Sequence, residues 1–196
     1  TRSMHFSDAA IQSRMDLMKP AALALEYTRT MMGLLLFDPS PARVAMIGLG
    51  GGSLVRFFAR HLPRTELTVV EINADVIALR DRFALPPDGP RLRIVHADGA
   101  RWVSATTQRF DVLLIDAFDA ECMPEAFGTR RFYDDCHDVL VPGGLLVANL
   151  HASHPHLPLY LERLGAAMGN LTPTPAWPVL RVDDRDGSNS VVFARR

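Results

Sequence analysis

Residues 44–53 read Val-Ala-Met-Ile-Gly-Leu-Gly-Gly-Gly-Ser, a short apolar run emptying into a loop in which four of the six residues from 48 to 53 are glycine. The amphipathic run 54–61 follows at once, so the stretch reads as strand, tight turn and helix start. Glycines let the backbone approach a ligand closely, and the first amides of the helix point into the same space with the positive end of its dipole. Gly48, Gly50, Gly51 and Gly52 are therefore candidate ligand contacts. The dinucleotide fingerprint asks for glycine at its first, third and sixth positions; Gly48 and Gly50 meet two, and the sixth is Ser53. Glu71, about twenty residues on and closing the apolar run 67–70, stands where an acid binds ribose hydroxyls. Together these features predict a nucleotide-type or nucleoside-type site.

The rest of the chain bounds what surrounds that site. With 196 residues and 48% hydrophobic content there is enough chain for one well-buried core. A net charge of -1 argues against a general nucleic-acid binder, which needs a concentrated excess of base to neutralise phosphates. Lys19 is the only lysine, which nearly removes Schiff-base and P-loop chemistry by inventory. Cys122 and Cys136 form no CxxC pair, and no long apolar run or apolar leader core is present. A cytoplasmic protein with no membrane partner is expected.

Along the chain, 1–19 reads as an N-terminal segment, a remnant of a β-hairpin region, and 20–196 as one Rossmann-like domain. Pro20 opens a long helix expected over 21–37. Strands are expected at 44–47, 67–71, 92–96, 112–115 and 145–150, alternating with helices at 53–61, 74–84, 99–106, 129–140 and 159–168. A polar loop spans 116–128, and Pro142-Gly143-Gly144 is expected to turn the chain into the fifth strand. Strands at 177–182 and 190–194 flank Asp186-Gly187, a hairpin signal. Five β–α repeats closed by an antiparallel hairpin describe an α/β, doubly wound Rossmann-like sheet of the class I S-adenosylmethionine (SAM)-dependent methyltransferase type.

Ligands of such sheets bind beyond the carboxyl ends of the strands, where strand order reverses. The first polar residues past those ends are Glu71, Asp98 before Gly99, Asp116 and Asp119, and Asn149 with His151. Asp98 has an alternative reading as the cap of the following helix. A carboxylate beside a sulfonium is worth about 1 kcal/mol in water and about 4 kcal/mol at an effective dielectric of 20, so this rim favours a cationic donor or an amine acceptor.

The glycine loop, Glu71, Asp98-Gly99, the run Phe110-Asp111-Val112-Leu113-Leu114-Ile115-Asp116-Ala117-Phe118-Asp119, and Phe132-Tyr133 with Cys136, Leu140 and Pro142-Gly143-Gly144 resemble the spermidine synthase family over roughly residues 20–150. The resemblance implies that Glu71 binds the ribose hydroxyls, Asp98 and Gly99 the adenine end, and the glycine loop the thioether end of a SAM-type donor. It further implies Asp116 as the general base toward the attacking amine, with Asp119 and Tyr27 holding that amine. Aminopropyl transfer from decarboxylated SAM to a small amine is the expected reaction, and a homodimer is compatible with it. No metal is expected: His151, His154 and His156 match no closed zinc pattern, and Asp183, Asp184 and Asp186 read as a solvated hairpin.

The sequence departs from the family on the acceptor side. The loop aspartate that grips the donor amine falls at Gly51, and the residues after Tyr27 are Thr28 and Arg29 where the family has an acid at the second. The proline after the second aspartate is Ala120, and the glutamine past the fifth strand is Asn149. Losing the loop acid leaves ordinary SAM open as donor, so a SAM-dependent methyltransferase and a nucleoside-binding protein without transferase activity stand as alternative readings.

Overall fold

A computed structural model describes residues 1–7, 10–117, 125–169 and 179–196. Two strands, β1 (Arg2–Ser7) and β2 (Ala10–Met15), pair antiparallel as a hairpin. Seven more form one sheet: β3 (Arg43–Ile47), β4 (Glu66–Glu71), β5 (Leu92–His96), β6 (Phe110–Ile115), β7 (Leu140–His151), β8 (Val179–Asp183) and β9 (Asn189–Arg195). Their order is β5-β4-β3-β6-β7-β9-β8. The first five run parallel, and β9 pairs antiparallel with both β7 and β8. This is the expected doubly wound sheet with its C-terminal antiparallel hairpin. The chain walks outward from β3 to β5, returns, and walks the other way from β6, so strand order reverses between β3 and β6.

Alternation along the strands divides the core in two. Ala45 and Ile47 face a cluster with Leu113, Ile115, Phe132, Tyr133 and Leu146, under helices α4 (Gly99–Ala105), α5 (Arg130–Val139) and α6 (Leu157–Ala167). Val44 and Met46 face the opposite cluster with Met31, Leu34, Phe58, Leu114, Val147 and Phe193, under α1 (Glu26–Met31) and α2 (Ser53–His61). Met4 and Met15 of the hairpin join that second cluster. Cys136 is fully buried, and burial pushes its thiol up, so it is packing rather than chemistry.

Several boundaries differ from expectation for local reasons. The helix expected over 21–37 is only α1 followed by a 3₁₀ segment, Met32–Leu36. Its proximal part stays non-helical: the Arg29 guanidinium donates to the Leu23 and Ala24 carbonyls at 2.9 and 3.3 Å, and Arg56 Nε donates to the Pro20 carbonyl at 2.6 Å. α3 (Ala74–Ala78) ends six residues before its expected limit, and 79–84 continue as turns, with Arg80 bonded to the Pro86 carbonyl and to Asp88 at 2.8 Å. Pro142-Gly143-Gly144 does not precede β7 but bulges within it: Leu140 pairs with Phe110 while Leu145 pairs with Val112. The expected strand 177–182 is observed from Val179, the first described residue there. A 3₁₀ turn, Glu125–Gly128, ends the polar loop.

Arg56 is 4% exposed and has no acidic partner among the described residues. Its guanidinium instead donates to three carbonyls from separate segments, Pro20, Gly51 and Phe83 (Phe83 at 2.8 Å), with the Ser53 hydroxyl at 3.4 Å. Burial lowers its pKa to about 10, which leaves it charged at neutral pH. It fastens the back of the glycine loop to two neighbouring segments.

Gly48 lies at φ +94°, and a Cβ there would sit 2.1 Å from the Asp116 carbonyl oxygen, whereas Gly50 at φ +49° has open space on that side. Gly48→Ala is expected to destabilise the fold by about 3 kcal/mol or more, and Gly50→Ala by only about 1–2 kcal/mol for the left-handed backbone. Denaturant unfolding of the two variants checks the order; equal losses would mean that the Gly48–Asp116 approach is not a fold constraint.

Candidate functional site

The reversal of strand order places the ends of β3 and β6 side by side. Asp116 N–H donates to the Ile47 carbonyl at 2.9 Å, and Gly48 N–H to the Val70 carbonyl at 2.8 Å, so the exits of β3, β4 and β6 are stitched together. From these exits the glycine loop, Glu71 and Asp116 share one rim.

Glu71 is 8% exposed and both its oxygens are engaged. Oε2 accepts from Leu49 N–H and Oε1 from Asn73 N–H, each at 2.8 Å. It holds the glycine loop against the end of β4, and a carboxylate with about four acceptor positions keeps capacity for ligand hydroxyls. Asp98 caps α4, its Oδ1 accepting from Arg101 N–H at 3.0 Å, which realises the alternative role foreseen for it. A Cβ on Gly99 would lie 2.3 Å from Ile47 Cγ2, so its glycine is needed for the packing of α4 on β3.

Inside the glycine loop the four residues differ. Gly52 stands at the start of α2 against Leu85, and Gly50 borders open space. Gly51 faces the hairpin: a Cβ on it would lie 2.4 Å from Ser13 Oγ. Ser13 is buried, 3.4 Å from the Ser53 hydroxyl, and takes up the room that a side chain on the loop would need.

Asp116 sits one residue beyond β6 and carries the most informative geometry. Asn149 Nδ2 donates to its Oδ1 at 3.0 Å and the Tyr27 hydroxyl donates to its Oδ2 at 3.3 Å. Burial pushes its carboxyl up to about 6, opposed by the bonds from Asn149 and Tyr27, which favour the ionised form. The same burial, reinforced by the negative charge of Asp116, raises the Tyr27 phenol well above its ordinary value, so Tyr27 is a donor and not a base. Asn149 is 2% exposed, and its Oδ1 has no hydrogen-bond partner among the described residues. In the sequence this amide stands out both as a first polar residue at the end of the fifth apolar run and as a departure from glutamine; it lies within β7, and its bond joins that strand to the exit of β6.

Of the remaining candidates, Asp119 and Cys122 lie outside the described residues. Arg29 is exposed, its head committed to carbonyls of its own chain. His154 and His156 stack around Tyr160. No helix among the described residues is long and apolar enough to cross a membrane.

Comparison with known proteins bears on this arrangement. The family profile described as "Spermine/spermidine synthase domain" matches residues 24–170. The polyamine aminopropyltransferase of Chromobacterium violaceum is 41% identical over 164 residues, covering 83% of this chain and 63% of the relative. That of Neisseria meningitidis serogroup B is 40% identical over 165 residues with the same coverage. The chain thus spans less than two thirds of the length of these curated relatives. Among solved structures, a probable spermidine synthase from Corynebacterium glutamicum superposes with a TM-score of 0.77 at 28% identity, over 96% of this chain and 70% of that one. A spermidine synthase in complex with the transition state analogue AdoDATO gives 0.68 at 25% identity, over 86% and 60% of the two chains. Human methyltransferase-like protein 13, at 23% identity, TM-score 0.72, and coverage of 87% and 82%, is alike in fold alone. By the span of the profile match and the identity to these relatives, the chain belongs to the spermine/spermidine synthase family.

Proposed function

We propose that the protein transfers an aminopropyl group from decarboxylated SAM to a small amine, with Asp116 as the general base. The observation that carries this reading is the Asp116 carboxyl, half-buried at the β3–β6 reversal, gripped from both sides, and pushed up to about 6. An amine is a nucleophile only when deprotonated. Asp116 accepts a proton from the attacking nitrogen while Tyr27 and Asn149 fix the direction in which the carboxylate points. The sulfonium donor supplies an electrophilic methylene carbon: the new C–N bond forms there, the C–S bond breaks, and its electron pair neutralises sulfur as a thioether. A base whose pKa lies just below neutrality is mostly ionised at pH 7 yet still basic enough to take the proton.

In this reading Gly48, Gly50, Gly51 and Gly52 border the donor's thioether end, and Glu71 its ribose. Asp98 and Gly99 lie toward its adenine, Tyr27 toward the amine, and Asp119 serves as a second acid for the amine. The acidic rim suits a cationic donor. Because Ser13 occupies the side-chain space of Gly51, the loop supplies no carboxylate to select against ordinary SAM. Decarboxylated and ordinary SAM are accordingly expected to bind within about tenfold of each other, about 1.4 kcal/mol, with transfer following the decarboxylated donor. Calorimetric titration of both donors under one condition checks this; a gap of several decades would place an unrecognised carboxylate at the donor tail.

Asp116→Asn is expected to lower kcat by about a hundredfold or more while leaving donor affinity within about tenfold. A comparable collapse of donor binding would make Asp116 a nucleoside ligand instead. The same variant should be more stable than the parent at neutral pH. The folded-state pKa of about 6 lies above the ordinary 3.8, so the folded protein holds its proton longer and stability falls as pH rises from about 4 to about 6. Removing the charge recovers an amount on the order of 1–2 kcal/mol, discounted for partial solvent access, readable by denaturant unfolding at pH 7 and absent at pH 3.

Tyr27→Phe deletes a bond that favours the ionised carboxylate. The acid limb of kcat/KM, set near pH 6 in the parent, is expected to move to higher pH, with a loss at pH 7 of about tenfold or less. An unchanged limb would mean that Asp116 is not the group titrating in the rate.

A further inference from the structure

The N-terminal hairpin and the turns that follow α3 enclose a cavity that the reaction does not use. It measures about 400 Å³ and opens to solvent between β1 and residues 79–83. Its apolar lining is Met4 and Phe83, both buried in the second core cluster, and Leu79, which is 40% exposed. Its polar lining, apart from Ser3, is basic: Arg2 and His5 come from β1 and Arg82 from the turns, and no acidic side chain lines it.

These bases lack counterions of their own. Arg2 Nη1 donates to the Arg82 main-chain carbonyl, which commits one N–H of its guanidinium and leaves the others for a further partner. Arg82 and His5 have no ion pair or side-chain hydrogen bond among the described residues. Asp81, the neighbour of Arg82 in sequence, does not line the cavity and makes no ion pair there. Arg80 differs, being paired with Asp88 at 2.8 Å and with the Pro86 carbonyl at 2.7 Å. The wall that carries Arg82 is held in a strained backbone. Ala84 lies at φ +50°, the one non-glycine residue with positive φ among the described residues, and Leu85 N–H returns to the Arg80 carbonyl at 3.1 Å. Such a conformation persists only where the surroundings over-determine it, and it is concentrated where ligands are held. Phe83 separates the cavity from the glycine loop: its carbonyl accepts from Arg56 at 2.8 Å, and a Cβ on Gly51 would lie 3.0 Å from its ring.

We infer that this cavity is a binding site for a small phosphate monoester with an apolar body. Two guanidiniums and an imidazole suit a dianionic head, which the arginine forks meet with paired N–H donors, and the Met4, Leu79 and Phe83 side chains take the organic part. A volume of this size holds a small ligand. The inference does not depend on the reaction assigned to Asp116.

The test is calorimetric titration of the protein with phenyl phosphate, inorganic phosphate and benzoate, each with and without methylthioadenosine. Phenyl phosphate is expected to bind about tenfold or more tightly than inorganic phosphate, through its apolar contact, and about tenfold more tightly than benzoate, through its second charge. Its affinity should stay within about threefold when methylthioadenosine is present, because the glycine loop, itself an anion-accepting helix start, is not where it binds. Arg82→Gln and Arg2→Gln should each weaken it about tenfold or more. Displacement by methylthioadenosine would put the anion on the glycine loop and overturn the inference, as would binding that neither arginine variant weakens. Benzoate or inorganic phosphate binding as tightly as phenyl phosphate overturns the assigned ligand class. No binding of phenyl phosphate to the parent overturns the site without any variant, should both variants fail to fold.

Discussion

The contact between Gly48 and the main chain of Asp116 is where the architecture of this protein and its chemistry meet. Strand order reverses there, and a side chain on Gly48 would strike the Asp116 carbonyl, so the glycine loop and Asp116 can approach only because position 48 has no Cβ. Asp116 N–H returns a bond to Ile47, and Glu71 draws the loop toward the neighbouring strand through Leu49 N–H. Arg56 closes the arrangement from behind with bonds to Gly51, Phe83 and Pro20. The loop is thus fixed by the Glu71 carboxylate on one side and the Arg56 guanidinium on the other.

Electrostatically the rim is arranged against itself. Asp116 and Asp184 are acids brought toward a phenol that is itself forced to remain protonated. Burying carboxylates without basic partners costs stability unless something cationic arrives. A sulfonium donor and an ammonium-bearing acceptor are such partners, and binding them would relieve what folding leaves strained. Stability given up at a site in exchange for a tuned pKa is a familiar trade in catalytic pockets.

The order of elements was readable because the strands that carry the site are mainly apolar, as strands covered on both faces are, and because Gly48–Ser53 cannot be mistaken for either periodic structure. Rim residues were legible as types at strand exits: Glu71 and Asp116 stand at or just beyond their strand ends, although the double bond from Glu71 to the backbone is tertiary and left no mark in the sequence. The differences have two causes, side-chain contacts that override local pattern and acidic runs too short to show which member turns inward. Pro20 and the run after it suggested one long helix, but Arg29 and Arg56 claim the carbonyls before it, and Gly33 lies against the Phe193 ring. Asp184, which is 8% exposed, looked solvated among its charged neighbours because alternation in a two-residue acidic run cannot say which member turns inward. Asn149 was legible as a polar residue at the end of the fifth apolar run and as a substitution for glutamine, but its bond to the Asp116 oxygen at the end of the neighbouring strand was not.

The most direct test of the account is the identity of the product. Incubation of the protein with putrescine and either decarboxylated or ordinary SAM, followed by mass spectrometry of the amine, distinguishes the two groups a sulfonium can release. The account predicts an aminopropyl adduct of putrescine from the decarboxylated donor, with methylthioadenosine formed in equal amount. A methylated amine from ordinary SAM, or no amine product from either donor, would contradict it.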